Sequence, residues 1–176
     1  MRAATPRVLA PDFFDRPTPV VARQLLGKFL VRELGGERLA HMITETEAYH
    51  GYDDKASHAH RGVTQRNAPM FGPPGSIYVY FTYGMHWMLN LVCGKEGHPG
   101  AVLIRGVKEI SGPARLTKRL QIDKQLNGQM LSVSSGLWIE DRGVVAKAAH
   151  IRKTPRIGIA YAQDWTDKPW RFVFTP

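Results

Sequence analysis

Acidic side chains are few, cysteine is nearly absent and long apolar runs are missing, and each shortage narrows what this chain can be. One cysteine, Cys93, stands among 176 residues. It can form no intrachain disulfide and no zinc-holding cluster, so a reducing, intracellular compartment is expected, cytoplasmic or nuclear. Inside its apolar run, Cys93 reads as a small buried hydrophobe rather than a nucleophile. No run of about 18 or more apolar residues occurs and no signal-peptide core opens the chain, so neither a membrane nor export is expected. Repeats, low-complexity tracts and linker-like stretches are also missing, which argues for a single domain over residues 1–176, with 1–10 as a loose arm. Asp and Glu number 15 against 24 Lys and Arg, a formal charge of +9 and a pI near 9.9. That surplus points to a polyanionic partner, nucleic acid ahead of an acidic membrane surface. The cations are spread along the chain, so any binding face has to be assembled by folding.

Aromatic and β-branched residues, by contrast, are concentrated between Gly75 and Cys93. Two strand-like runs on either side of Tyr83-Gly84 predict a β-hairpin. Alternation puts Ile77, Val79 and Phe81 on one face, and Tyr78, Tyr80 and Thr82 on the other. One face enters a core while the other offers tyrosines to something flat, or all of them are ordinary core. Tyr83 falls at the tip, where a large ring suggests a wedge for a partner.

Upstream, Thr18 as N-cap, Pro19 at the first turn and Gly27 beyond the end bracket a helix. Its residues Val20, Val21, Leu25 and Leu26 are spaced to cover one face. Residues 28–34 and 37–49 read as strands joined by Gly35-Gly36. In the second of these, Glu45, Glu47 and Tyr49 share a face, neighbours roughly 7 Å apart. Two carboxylates beside an aromatic suggest a catalytic rim, against the plainer reading of a solvated strand end. Residues 50–74 lack periodicity and read as a long functional loop carrying Asp53, Asp54, His58, His60, Arg61, Arg66 and Asn67. His58 and His60 raise a metal site, but no third and fourth ligand stand at a recognisable spacing. Downstream, residues 101–105 read as a strand. A helix opens at Gly112-Pro113 and runs to Ile122, and Arg115, Lys118 and Arg119 cluster within it. Residues 131–141, 156–162 and 170–174 read as further strands.

Several of these stretches resemble one family. They are Glu45-Thr-Glu-Ala-Tyr49, Ala56-Ser-His-Ala-His-Arg-Gly62, Thr64-Gln-Arg-Asn67, Met70-Phe71, Tyr78-Val-Tyr-Phe-Thr-Tyr-Gly-Met85, Asn90, Gly112-Pro113 and Lys168-Pro-Trp-Arg-Phe172. In order and spacing the chain resembles the alkyladenine (3-methyladenine, methylpurine) DNA glycosylases from about Thr18 to Phe174. The resemblance implies an enzyme that flips a damaged purine out of double-stranded DNA and hydrolyses its N-glycosidic bond. It implies Glu47 as the general base and Arg105 as an aid to the water or a phosphate. Tyr49, His58 and Tyr80 become the pocket walls, Asn90 its floor and Tyr83 the intercalating wedge. No lysine stands at the matching centre, so hydrolysis without a lyase step is expected, with no cofactor, no metal and a monomeric protein. Arg61, Arg66, Arg115 and Lys118 are candidate DNA-backbone contacts around the Glu47 cleft. Family members carry a longer segment where this chain has only Gly106 to Ser111.

The fold these readings describe is one mixed α/β (α+β) domain: a curved, mainly antiparallel sheet, flanking helices and a protruding hairpin. The rival functions are a carbohydrate-active glycosidase using Glu45 and Glu47, a non-catalytic nucleic-acid-binding module, and metal-dependent hydrolysis through His58 and His60.

Overall fold

Two glycine corners set the sheet. Gly35 and Gly36 both take positive φ (57° and 85°), turning the strand Phe29–Leu34 back on the strand Glu37–His50 so that Leu34 lies opposite Glu37. Tyr83 and Gly84 repeat the device (φ 53° and 65°) between Ile77–Thr82 and His86–Val92. Paired positive φ matches the right-handed twist of the flanking strands, which is why such corners close hairpins.

The computed structural model describes residues 5–176. In chain order its strands are β1 (Arg7–Val8), β2 (Phe29–Leu34), β3 (Glu37–His50), β4 (Ile77–Thr82), β5 (His86–Val92), β6 (Gly100–Val107), β7 (Ile110–Ser111), β8 (Leu137–Asp141), β9 (Ile151–Thr154) and β10 (Arg171–Phe174). The helices α1 (Thr18–Gln24) and α2 (Pro113–Arg119) are short. The strands join one sheet in the order β1-β8-β2-β3-β6-β5-β4, with β10 bridging β3 and β9, and β7 returning on β6. Every pairing between these strands is antiparallel. This is the mixed α+β architecture expected.

β3 is the hub. Its first half pairs with β2, and its second half lies between β6 and β10, with Glu47 opposite Leu103 on one side and Arg171 on the other. Alternation then sorts side chains to two faces. Thr46 and Ala48 face α1, where Thr46 donates to the Ala22 carbonyl at 2.8 Å. On the same face Ile77, Val79, Leu89, Leu91, Val102 and Ile104 pack with Val21, Leu25, Leu116 and Leu120 into the main core. Glu45, Glu47 and Tyr49 belong to the other face.

Several boundaries differ from the expected ones. Residues 1–4 of the expected arm lie outside the described residues. The rest is not loose, because Arg7 and Val8 pair with Asp141 and Glu140 and Leu9 is buried. Thr18 is not a cap: its hydroxyl is buried against His50 Nδ1 at 3.0 Å, and Pro17 holds the N-cap position. Val20 is exposed, so α1 covers the core with Val21 and Ala22, and Leu25 and Leu26 follow just beyond its end. α2 stops at Arg119, before Gln121 turns to φ 48°. Residues 156–162 form no strand; Gly158 at φ 78° breaks the run, and β9 forms earlier, ending at Thr154 before Pro155. Only Leu137–Asp141 of the 131–141 segment is a strand. The short Gly106 to Ser111 connection is a closed hairpin, Val107 opposite Ile110.

Gly100 begins β6 where no side chain fits. A Cβ there would meet Thr18 Oγ1 at 2.6 Å and the Cys93 carbonyl oxygen at 2.8 Å. Gly100→Ala is expected to destabilise the fold by about 1–3 kcal/mol through overpacking. The measurement is the urea midpoint at unchanged m-value; a midpoint equal to wild type would show that the backbone there is free to yield.

Candidate active site

Alternate residues of four strands line one cavity of about 340 Å³: Tyr49 from β3, Tyr78, Tyr80 and Thr82 from β4, Met88 and Asn90 from β5, and Ala101, Leu103 and Arg105 from β6. The even-numbered face of the hairpin, read from alternation, is therefore a cavity wall. His58 and Met70 from the 50–74 loop, Pro113 at the start of α2, and Ile157 to Ile159 with Tyr161 complete it. The loop is ordered from within: Asn67 Nδ2 donates to the His58 and Gly62 carbonyls, both at 2.9 Å, and its Oδ1 accepts from the Thr64 amide.

The aromatic walls meet at close range, His58 edge to face with Tyr80, and Tyr78 tilted against the same ring. His58 and Tyr80 have ring centroids 4.5 Å apart at 71°, and Tyr78 lies 5.4 Å from Tyr80. Burial pushes the Tyr78 phenol well above its ordinary range and that of Tyr80 up to about 12, so both stay protonated at neutral pH. Tyr78 Oη lies 2.9 Å from His58 Nδ1. With the phenol donating, the imidazole proton sits on Nε2; with the phenol accepting, it sits on Nδ1. His58 keeps part of its surface open, while packing, and then the Arg66 charge, lower its pKa toward the neutral ring. Asn90 is buried, its Nδ2 held by the Tyr78 carbonyl at 3.2 Å.

Glu47 is 0% exposed and lies directly behind this surface. Oε1 accepts from the Ile157 amide at 2.8 Å and Oε2 from the Tyr49 hydroxyl at 2.8 Å. Arg105 Nε stands 3.5 Å from Oε1, the loosest of the three contacts. All three partners line the cavity. Burial raises the Glu47 pKa above the ordinary glutamate value, opposed by the Arg105 charge, the Ile157 amide and Tyr49. This environment departs from a solvated strand end. Glu45 differs from Glu47: a single oxygen accepts from Arg105 Nε at 2.9 Å and Arg171 Nε at 2.7 Å.

Tyr83 is 80% exposed at the hairpin tip and also edges the cavity mouth. Beside it Met85 is exposed, and Phe81 leans on Trp87 with ring centroids 4.6 Å apart. The four backbone candidates are all exposed. Arg66 sits over the Tyr80 ring at 5.4 Å and donates to the Phe81 carbonyl at 2.9 Å, so it braces the hairpin. Arg115 and Lys118 ride on α2, two and five residues beyond the cavity-lining Pro113, and Arg61 follows His58 in the loop. His58 and His60 spend their Nδ1 atoms on different partners, Tyr78 and the Tyr52 carbonyl. Among the described residues no three His, Cys, Asp or Glu side chains converge for a metal.

Sequence reasoning passed over Arg156, Arg171, Ile157 and Tyr161. An arginine inside the apolar run Arg156-Ile-Gly-Ile-Ala160 is the available signal for the first, since a cation so placed needs a buried acceptor. That acceptor is Asp54, at 2.6 Å.

Compared with known proteins, the chain matches the sequence model of the methylpurine-DNA glycosylase family over residues 12–112 and 108–176. The two stretches meet at the β6–β7 hairpin, where the shortened connection lies. A relative from Methanocella arvoryzae, provisionally named a 3-methyladenine DNA glycosylase, is 46% identical over 185 residues, covering 94% of this chain and 91% of its own. Relatives under the same provisional name from Anaeromyxobacter dehalogenans (46% identity; 92% and 80% coverage) and Carboxydothermus hydrogenoformans (44% identity; 94% of each chain) are similar over nearly the same span.

Proposed function

The chain belongs to the methylpurine-DNA glycosylase family, and from that premise we propose that it flips damaged purines out of double-stranded DNA and hydrolyses their N-glycosidic bonds with a water activated by Glu47. The observation that carries this reading is Glu47 itself: a wholly buried carboxylate at an aromatic cavity, oriented by an amide and a phenol, with its pKa raised by burial. A carboxylate so placed is a stronger base than one in water and is held for one proton transfer. Arg105 and Glu47, 3.5 Å apart, stand too close to hold a water between them; the attacking water would sit beside the pair on the cavity side, hydrogen-bonded to both.

The water oxygen then attacks the sugar C1′, the bond to the purine nitrogen breaks with its electron pair passing to the base, and Glu47 takes the water proton. A purine alkylated on a ring nitrogen is cationic before cleavage and leaves neutral, and the electron-rich faces of Tyr49 and Tyr80 favour that charge. Stacking also tolerates several lesion shapes, which suits alkylated and deaminated purines alike. With the Tyr78 phenol donating to its Nδ1, His58 carries its proton on Nε2 and offers a donor to an acceptor on the base edge. Asn90, pinned by backbone, gives a rigid floor that disfavours the extra amine of normal guanine. Tyr83 fills the gap left in the duplex, while Arg61, Arg66, Arg115 and Lys118 hold its phosphates.

Among the described residues no lysine lines the cavity, which supports simple hydrolysis without a Schiff base. The two-carboxylate sugar-cleft alternative is disfavoured, because its second carboxyl, Glu45, is ion-paired through one oxygen to two guanidiniums. We place the enzyme's work on intracellular DNA, as a monomer; no helix of the described residues is long and apolar enough to cross a membrane. The test is incubation with duplex DNA carrying methylated purines. Free base is expected in solution, with strands intact until alkali is added. Nicks without alkali would remove the hydrolytic reading, and no released base the glycosylase reading.

A further inference from the structure

Residues 156–165 cross the cavity rim as a strap that ends in a 3-10 segment, Ala160–Trp165, kinked at Gln163, and two consecutive loop residues grip it at both ends. At one end Arg156 Nη1 and Nη2 donate to the two carboxylate oxygens of Asp54 at 2.6 and 2.8 Å, and Nη1 also donates to the Ala48 carbonyl at 2.8 Å. Both side chains are 0% exposed. The guanidinium lies between two rings, 4.7 Å from Tyr49 and 5.2 Å from Trp170. At the other end Lys55 Nζ donates to Gln163 Oε1 at 2.7 Å and Asp164 Oδ1 at 2.8 Å. Between the grips Ile159 and Ala162 pack on Ala56.

The residue after Arg156 is Ile157, whose amide donates to Glu47 Oε1, and the ring under Arg156 belongs to Tyr49, whose hydroxyl donates to Oε2. Arg156 is therefore joined through the backbone to the support of one Glu47 oxygen and stacked on the support of the other, without lining the cavity. The pair is a poor choice for stability alone. It desolvates two charges and leaves Arg156 Nε buried without a partner, and replacing such pairs with uncharged residues is often neutral or stabilising.

We propose that Arg156, clamped by Asp54, is a positioning residue for base release, fixing where the Ile157 amide and the Tyr49 phenol meet Glu47. This rests on the reading of Glu47 as the base. The groups facing Glu47 are Arg105 from β6, Tyr80 from β4, Tyr49 on its own strand and Arg156 from the strap, with Glu45 and Arg171 neutralising each other beside it. Arg156 and the Ile157 amide both hold the Glu47 pKa down against burial, so losing them moves it up.

Two variants test this, each assayed by single-turnover base release across pH and by affinity for a duplex bearing a tetrahydrofuran abasic analogue. Arg156→Lys keeps the charge but loses the fork and the planar stack. Its release rate is expected to fall about 10–100-fold, with affinity within about threefold, because nothing on the DNA-facing surface changes. The neutral pair Asp54→Asn with Arg156→Gln leaves no unpaired buried charge, and the acid limb of its pH–rate profile is expected to move to higher pH. A wild-type rate in Arg156→Lys, or a wild-type rate and acid limb in the folded neutral pair, would show the clamp to be structural only. Glu47→Gln run alongside separates the two levels: an active Glu47→Gln removes the base assignment, while an inactive one beside wild-type-like Arg156 variants removes only the positioning role.

Discussion

Glu47→Gln is expected to cut single-turnover release of hypoxanthine or ethenoadenine from duplex DNA by about 10²–10⁴-fold, the range over which a positioned general base acts. The substitution is close to isosteric. The carboxamide oxygen it introduces can still accept from the Ile157 amide, so affinity for a lesion duplex is expected to survive. A binding module would show no change in any readout. Glu45→Gln is the companion variant: Glu45 is tied to Arg105 and Arg171 through one oxygen and is expected to retain far more activity. Release by Glu47→Gln at the wild-type rate, lost instead in Glu45→Gln, would move the base to the neighbouring residue on the same strand face.

The same carboxylate links activity to acidity and stability. Its folded-state pKa is raised above the ordinary value of 4.5. Base catalysis requires the ionised form, so the acid limb of the rate should lie above the pH of an ordinary carboxylate. For stability the sign runs the other way. Between the unfolded and folded pKa values the folded protein keeps a proton that the unfolded chain has lost, so stability falls as pH rises through that window. Above it, wild type carries the cost of a buried charge that Glu47→Gln does not. Glu47→Gln should therefore melt higher than wild type at neutral pH, with the difference closing below about pH 4.5, the unfolded glutamate range. A variant that melts lower at neutral pH would mean that the charge stabilises the fold through Arg105 and Arg156 more than burial opposes it.

What the sequence made legible follows the range of the interactions. Hairpin corners and face assignments depend on neighbours, and Gly35-Gly36, Tyr83-Gly84 and the shared face of Tyr78, Tyr80 and Thr82 were readable from period and turn chemistry alone. Thr18 misled because a threonine before a proline is a good local cap, and a contact with His50, 32 residues away, overrode it. The strap was illegible for a stronger reason. It has no period, it bends at Gly158 and Gln163, and its anchors reach Asp54 and Glu47 over 102 and 110 residues of chain. A family resemblance carries residues only where a motif matches, so it named the groups that line the cavity and passed over the arginine behind them.

Tyr83→Ala carries the second large effect, and its value lies in the substrate on which it fails. Removing a nucleotide from the stack leaves a gap between base pairs, and an aromatic ring placed there recovers about 1–3 kcal/mol of stacking, equivalent to about 5–150-fold in rate or affinity. Tyr83 suits that work by position: it is 80% exposed, it sits at positive φ on the hairpin tip, and the rigid pairing of β4 with β5 stands behind it. Single-stranded DNA has no partner strand to refill the gap and no pairing to oppose extrusion. Tyr83→Ala should therefore slow release from a duplex by that factor while leaving release of the same lesion from a single strand within about twofold, and Tyr83→Phe should keep both. Equal losses on duplex and single strand would place Tyr83 in the pocket, whose mouth it also edges, and no loss on either would leave the wedge to Met85 or Phe81 beside it.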